Sequence, residues 1–388
     1  MRRKLVVTTI AGLLTAFAAV GGSAGAAPAP ERPADERAIV FNGQGNNLDA
    51  YTATPPFTHQ TVIRTQVDDP NGLDINAQIC FFPQDRGKRT RRFIAGEDTG
   101  QPNPPQGWGI FALQGDRVGS LSATEVAKLT PTYQGSADNA ENYGCGFLHD
   151  GRILTTDVGN QASGSGDGQL IVWFPPFNTG VGGHGQVRYC KVDIGLATAG
   201  SIYVDRRDRV YVASARAPTA GIWRYAGPFP TSDTAAGGCE THDDTGAPLT
   251  NSVARDLFIP AELPLATPNA IARSPRGGFY VSSVFNGVIA EFDRRGRYRR
   301  TILEPPAGET LGAQPYPTGT PLGLGVSRAG TIFYADIGIV VSSRGIGPGN
   351  RTGSVRRIRF VGGRPQPPET MASGLAFPHN IGVLETRR

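Results

Sequence analysis

Beyond residue 20 the sequence has no uninterrupted apolar run approaching the ~20 residues that a membrane-spanning helix needs. Apolar residues recurring at helical spacing are almost absent, which argues against a bundle or an α/β layer architecture. No serine nucleophile elbow is present, and GPGNRTG from Gly347 lacks the lysine and the strand-to-helix context of a phosphate-binding loop. The cysteines, Cys80, Cys145, Cys190 and Cys239, fit no common zinc spacing. The densest basic run, KRTRR from Lys88, reads as a solvated hairpin tip, and nothing in the charge distribution argues for nucleic acid.

What is present begins with a basic start (Arg2, Arg3, Lys4), an apolar stretch from Leu5 to Val20 and small residues ending in Ala24-Gly25-Ala26. This pattern predicts a secretory signal peptide over residues 1–26, then a Pro-rich lead-in over 27–37 and one domain over 38–388. The mature protein is expected to be secreted or periplasmic. The formal charge of +5 includes the three cations of the leader, which has no acid, so the remainder carries +2. All four cysteines follow the leader and would meet a compartment that permits disulfides.

About 360 residues exceed the usual size of one domain, and a repeat resolves the excess. NYGCGFLHDGRILTTDVGN from Asn142, AGSIYVDRRDRVYVASAR from Ala199, PNAIARSPRGGFYVSSVFNG from Pro268, PLGLGVSRAGTIFYADIGI from Pro321 and AQICFFPQDRGKRTRRFIAGEDTG from Ala77 share one pattern: strand, polar turn, second strand, polar stop. A third strand follows each: GWGIFALQGD, GQLIVWFPPF, TAGIWRYAGP, GVIAEFDRRG and GSVRRIRFVGG. A more variable outer segment comes next, and SATEVAKL from Ser122 reads as a helical decoration there.

Four β-segments per repeat describe propeller blades. The C-terminal stretch FPHNIGVLE, expected to be one strand over Phe377–Glu385, aligns with a first strand, and RAIVFNGQGNNLDAYTATPPFTHQTVI aligns with the other three. The expected fold class is therefore all-β, a six-bladed β-propeller whose last blade joins both chain ends and so hides its sheet edges. The long insertion Gly227–Ser252 carries Cys239, and a bridge to Cys190 on the preceding blade would staple it. Cys80 and Cys145 fall at equivalent places on neighbouring first strands and read either as a bridge or as two buried thiols.

The repeat alignment identifies two rings of residues around the channel. Ends of the second strands give Asn42, Glu97, Asp157, Ser214, Ser283 and Asp336. These polar groups suit a calcium ion, which takes six to eight oxygens, but a residue type repeated at every blade is better explained by the capping of the turns that follow. Starts of the first strands give Gln78, Tyr143, Gly200, Asn269, Leu322 and His379. That ring is heterogeneous, as expected of a site on a symmetric scaffold. His379 has the chemistry of a general base or of a hydrogen-bonded structural residue.

The units ending in TTDVGN and YADIGI resemble NHL repeats, and Pro268-Asn269-Ala270 is similar to the Pro-Asn-Gly element of the gluconolactonase/regucalcin (senescence-marker) propellers. That resemblance implies calcium held by Asn269; the repeat alignment adds Glu97 and Asp336 of the ring, and Asn380 beside His379, as further candidate ligands. It implies hydrolysis of a lactone or ester, with His379 or Asp157 as base and the cation polarising the carbonyl. Where the family has an acidic ligand on the first blade and another in a Pro-Asp-Gly element, this chain has Gln78 and Leu322. The alternative expectation is a non-enzymatic, monomeric propeller binding a protein, peptide or glycan at the channel face. A quinone-dependent dehydrogenase would need cations such as Arg216 or Arg344.

Overall fold

The computed structural model describes residues 38–386, except positions 71, 98–106, 130–141, 160–167, 178–186, 245, 263 and 344. The expected signal peptide and lead-in lie outside the described residues, as does Arg344. Six antiparallel four-stranded units follow one another around an axis. From the innermost strand outward, blade 1 is Ile75–Phe81, Arg91–Glu97, Gly107–Gln114 and Ser122–Leu129. Blade 2 is Asn142–Phe147, Ile153–Asp157, Gly168–Trp173 and Tyr189–Leu196, and blade 3 is Ala199–Val204, Val210–Ser214, Gly221–Tyr225 and Arg255–Pro260. Blade 4 is Pro268–Arg273, Phe279–Ser283, Val288–Phe292 and Tyr298–Leu303, and blade 5 is Pro321–Val326, Ile332–Asp336, Gly353–Ile358 and Glu369–Leu375. Blade 6 combines Ile381–Glu385 with Ala38–Gln44, Asn47–Thr52 and His59–Ile63.

The closure expected from the sequence is realised: Ala38 pairs with Glu385 and Asn42 with Ile381. Innermost strands neighbour each other in chain order, and that of blade 6 touches those of blades 5 and 1. The second strands are buried on both faces, as in Val210–Ser214 and Phe279–Ser283, because each blade is covered by its two neighbours. Each seam then has its own apolar cluster. Trp108, Ile171 and Trp173 fill the seam between blades 1 and 2, while Phe41, Phe93 and Phe111 fill that between blades 6 and 1. Each such side chain contributes about 1.5–3 kcal/mol by leaving water.

Two expectations about elements are corrected. SATEVAKL is not a helix but the outer strand of blade 1, pairing along the third strand from Trp108↔Leu129 to Gln114↔Ser122. An available hydrogen-bonding edge outweighs the modest helix propensity of Ala, Glu and Lys. The C-terminal strand begins at Ile381, not Phe377, because Phe377 adopts φ 45 and Pro378 follows it. Both break the extended path.

Disulfides join Cys80 to Cys145 and Cys190 to Cys239, with Cα–Cα separations of 6.0 and 6.4 Å. They close spans of 65 and 49 residues, and the chain-entropy model gives about 4 kcal/mol each. Cys80 and Cys145 are not equivalent in register: Cys80 pairs with Ile94, whereas Gly146, not Cys145, pairs with the matching Leu154. The insertion in blade 3 extends the sheet of blade 2 through Thr241–His242 and Pro248–Leu249. There Lys191 pairs with Asp243, both side chains only 2% exposed. Among the described residues no helix is long and apolar enough to cross a membrane.

Candidate functional site

Every innermost strand starts, and every second strand ends, at the same end of the channel, here termed the ring end. Asn42, Glu97, Asp157, Ser214, Ser283 and Asp336 all occupy it and are all buried. Their hydrogen bonds show what holds them there. Asp336 accepts from Thr320 N at 2.7 Å, Gly338 N at 3.0 Å and Ser354 Oγ at 2.7 Å, and pairs with Arg356 at 3.1 Å. Asp157 accepts from Gly159 N at 2.9 Å. Ser283 Oγ accepts from Ala266 N and Thr267 N, and Asn42 donates to Asn380 O at 2.9 Å. Asp157, Ser283 and Asp336 thus fasten the local turns and connections at this end through side-chain oxygens, while Asn42 ties the two chain ends together.

Glu97 turns outward along its blade. A Cβ placed on Gly109 would collide with its Oε1, so the glycine leaves room for the carboxylate to reach Lys128, with which it pairs. Glu125 lies beside this pair; burial first and the Glu97 charge second push its pKa up to about 7. The grouping joins the second and outer strands of blade 1 instead of facing the axis.

At the strand starts the structure departs from the repeat alignment twice. Ala77 takes φ 64, and the extra residues between the pairs Asn76↔Gly96 and Cys80↔Ile94 carry Gln78 further along the channel. Its Oε1 accepts from Cys145 N and Ile202 N, both at 3.1 Å, so it ties blade 1 to blades 2 and 3. Asn76 takes the place beside the ring instead. His379 likewise precedes its strand, because Ile381 pairs with Asn42; its N–H donates to Gly43 O at 2.8 Å. Its ring packs edge-on against Phe377 with centroids 4.4 Å apart. The enclosed Nδ1 has no hydrogen-bond partner among the described residues, and burial pushes the imidazole pKa down to about 4. At neutral pH it is uncharged and a weak base.

Asn269 sits at the predicted strand start, and its Nδ2 donates to Tyr143 Oη and to Leu322 O, the latter at 2.9 Å. Tyr143 and Leu322 belong to an apolar cluster with Val158, Val284, Ile337 and Ile339, drawn from blades 2, 4 and 5. Asn269 therefore clasps a hydrophobic plug across this end of the channel. Asn380, on the blade 6 side, is 1% exposed, and neither its Oδ1 nor its Nδ2 has a partner among the described residues. Among the described residues no three His, Cys, Asp or Glu side chains converge in a way that would hold a metal ion. Taken residue by residue, Asp336 is engaged by its turn and by Arg356, and Glu97 is turned to Lys128, whereas Asn269 binds its neighbours through Nδ2 alone, so that the amide oxygens of Asn269 and Asn380 are the uncommitted members of the expected calcium set. Arg216 is exposed.

The sequence reading missed a feature of the same end. Between the second and third strands of blade 5, Ile339–Ser342 and Gly345–Pro348 form a separate hairpin. It carries Ile346, 61% exposed, and Val341, 39% exposed. Phe285 on the ring-end turn of blade 4 and Phe377 before blade 6 are each 39% exposed as well. Contacts run between them: Gly287 abuts Tyr316, Val341 N donates to Gly312 O at 2.7 Å, and Arg351 Nε donates to Gly374 O at 3.0 Å. The available signal was IGIVVSSRGIGPG, a β-branched run turned back on itself by Arg-Gly.

The architecture is that of a six-bladed β-propeller. No family model matches the chain, and no curated protein does. Similar solved structures include a protein of unknown function from Bacteroides caccae, 11% identical, covering 91% of this chain and 100% of that one with a TM-score of 0.49. A gluconolactonase from Xanthomonas campestris is 13% identical, with 75% of each chain covered and a TM-score of 0.42. A calcium-binding protein, regucalcin, from Agrobacterium tumefaciens is 10% identical, with 75% of this chain and 74% of that one covered and a TM-score of 0.41.

Proposed function

We propose that this protein is an exported, non-catalytic propeller that binds a protein or peptide partner at its ring end. The observation that carries this reading is the run of exposed apolar side chains, Phe285, Val341, Ile346 and Phe377, on three successive blades. Apolar groups grouped on one face commonly mark interaction surfaces, and a hairpin edge adds unpaired backbone groups for an incoming strand. Two disulfides accord with an oxidising compartment and so with export. The carboxylates that a calcium site would draw on are engaged elsewhere, as described for Glu97 and Asp336.

The test is affinity capture from the extracellular fraction of the native source, comparing wild type with the double substitution Val341→Asp, Ile346→Asp. Both positions are exposed, so folding should be unchanged within about 0.5 kcal/mol. A partner retained by wild type in the presence of chelator, with retention by the folded variant at least about tenfold weaker, is the expected result. Equal retention by both would overturn the reading.

A second reading, a calcium-dependent lactone or ester hydrolase, draws on Asn269 at a strand start beside the channel and on the unpartnered amide of Asn380. In it the cation would supply Lewis-acid activation of the carbonyl and of water. Its weakness is charge: calcium affinity rises with the number of carboxylate ligands, and the ring carboxylates are bound up in turns and ion pairs.

A further inference from the structure

The end of the channel opposite the ring is where the first strand of each blade turns into the second. Between blades 6 and 1 this end holds a cavity of about 150 Å³. Phe81, Phe82, Val383 and Leu384 form its apolar wall. The rest of the lining includes Arg86, Arg91 and Arg328, the last reaching over from blade 5. Arg91 is buried, while Arg86 and Arg328 are exposed and their guanidinium groups form no ion pair among the described residues.

Two carboxylates share the wall, and both are already occupied. Asp85 accepts from Lys88 Nζ at 2.7 Å and from Arg92 Nε at 2.7 Å; although burial opposes it, these cations hold its pKa at about 2. Glu385 Oε1 accepts from Arg328 N at 2.6 Å. Of the groups that line the cavity, Arg86, Arg91 and Arg328 stand against Asp85, which Lys88 and Arg92 already neutralise from outside the lining, and Glu385, so the surplus charge at the cavity is positive. The basic stretch that reads from sequence as a solvated hairpin tip is so only in part. Lys88 is solvated, with its side chain 59% exposed, whereas Arg91 folds inward beside the cavity.

We propose that this cavity is a binding site for a small monocarboxylate with an apolar, ring-sized body. Three physical points support it. A cavity of this volume accommodates a benzene-sized group, and the phenylalanine and aliphatic wall suits one. The planar guanidinium of arginine matches a carboxylate in a two-point hydrogen bond, which a lysine would not reproduce. Unpaired cations beside a low-dielectric wall favour an anion more than they would in open water. The site lies at the other end of the channel and does not depend on the ring-end reading.

Benzoate is the probe. Calorimetric titration of the protein with benzoate, benzamide and inorganic phosphate, at low salt, should give measurable binding for benzoate only. Benzamide, which has the same body without the charge, and phosphate, which has charge without the body, should each bind at least about tenfold more weakly. The double substitution Arg86→Ala, Arg328→Ala, with an unchanged melting temperature, should weaken benzoate binding at least about tenfold. The single substitution Arg328→Lys, which keeps the charge but not the fork, should lie between. Absence of benzoate binding to wild type, equal binding of benzamide or phosphate, or undiminished binding by the folded double variant would each overturn the proposal. The comparison of the three ligands on wild type stands even if the double variant does not fold.

Discussion

Asp336→Ala is expected to destabilise the propeller by about 3–5 kcal/mol, the cost of breaking a buried, hydrogen-bonded charge pair. Asp336 has no exposed surface and gathers the backbone N–H groups of Thr320 and Gly338, the hydroxyl of Ser354 and the guanidinium of Arg356. Alanine would leave these donors unsatisfied and a cation without its partner in a site that is slow to admit water. Asp336→Asn keeps the shape, and so should recover part of the loss. Urea unfolding monitored by tryptophan fluorescence gives the comparison. A loss below about 1 kcal/mol for the alanine variant would mean that the carboxylate is not the fastening described, and would return it to the pool of candidate metal ligands.

The second large effect is on acid stability. His379 is held neutral by burial, with its pKa at about 4 against 6.5 for a free imidazole. Between those two values the unfolded chain takes up a proton that the folded chain refuses, so stability must fall as pH drops from about 6.5 to about 4. The full shift corresponds to about 3 kcal/mol, and about 2–3 kcal/mol is expected once partial access of water is allowed for. His379→Gln has nothing to protonate. Carboxylates such as Asp85 and Glu369, held below their usual range by arginines despite burial, add acid sensitivity to both proteins alike. The informative quantity is therefore the difference between the two pH profiles. Parallel profiles from pH 7 to pH 4 would show that the imidazole is accessible and free to act as a base.

The architecture was legible in the sequence because a blade is a local object: two strands, a polar turn and a polar stop recur with little variation. The pairing of the chain ends could be read for the same reason, since FPHNIGVLE and RAIVFNGQG complete each other's pattern. Register at the axis could not be read in this way. The bulge around Ala77 and the break at Phe377-Pro378 change which residue faces the ring by one or two positions, and sequence similarity between blades does not register such steps. Gln78 and His379 were misplaced for that reason, while Asn269 sits in a one-residue offset between Pro268 and Ala270 that recurs between Pro321 and Gly323 of blade 5, so the repeat alignment carried it to the right place. SATEVAKL shows the other limit, where a helix-favouring composition yields to an open sheet edge.

Chemistry was less legible than placement. The six polar ring residues lie at the ends of the second strands as expected, but position alone does not tell whether Asp157 and Asp336 face a ligand or cap a turn; the bonds from Gly159 N to Asp157 and from Thr320 N and Gly338 N to Asp336 are those of turn caps. The apolar plug of Tyr143, Leu322 and their neighbours is assembled from three blades far apart in the chain, and no local pattern announces it.

The most direct test is the metal content of the protein, purified without chelator, by mass spectrometry, paired with thermal melting in calcium and in chelator. A ligand that binds only the folded state raises its stability by about 2.7 kcal/mol at a hundredfold excess over its dissociation constant. The account of the ring end as a closed, partner-binding face predicts calcium well below one ion per chain and the same melting temperature in both conditions. One tightly held calcium per chain, a clear drop in melting temperature with chelator, and loss of both in Asn269→Ala would contradict it and establish the ring end as a metal site.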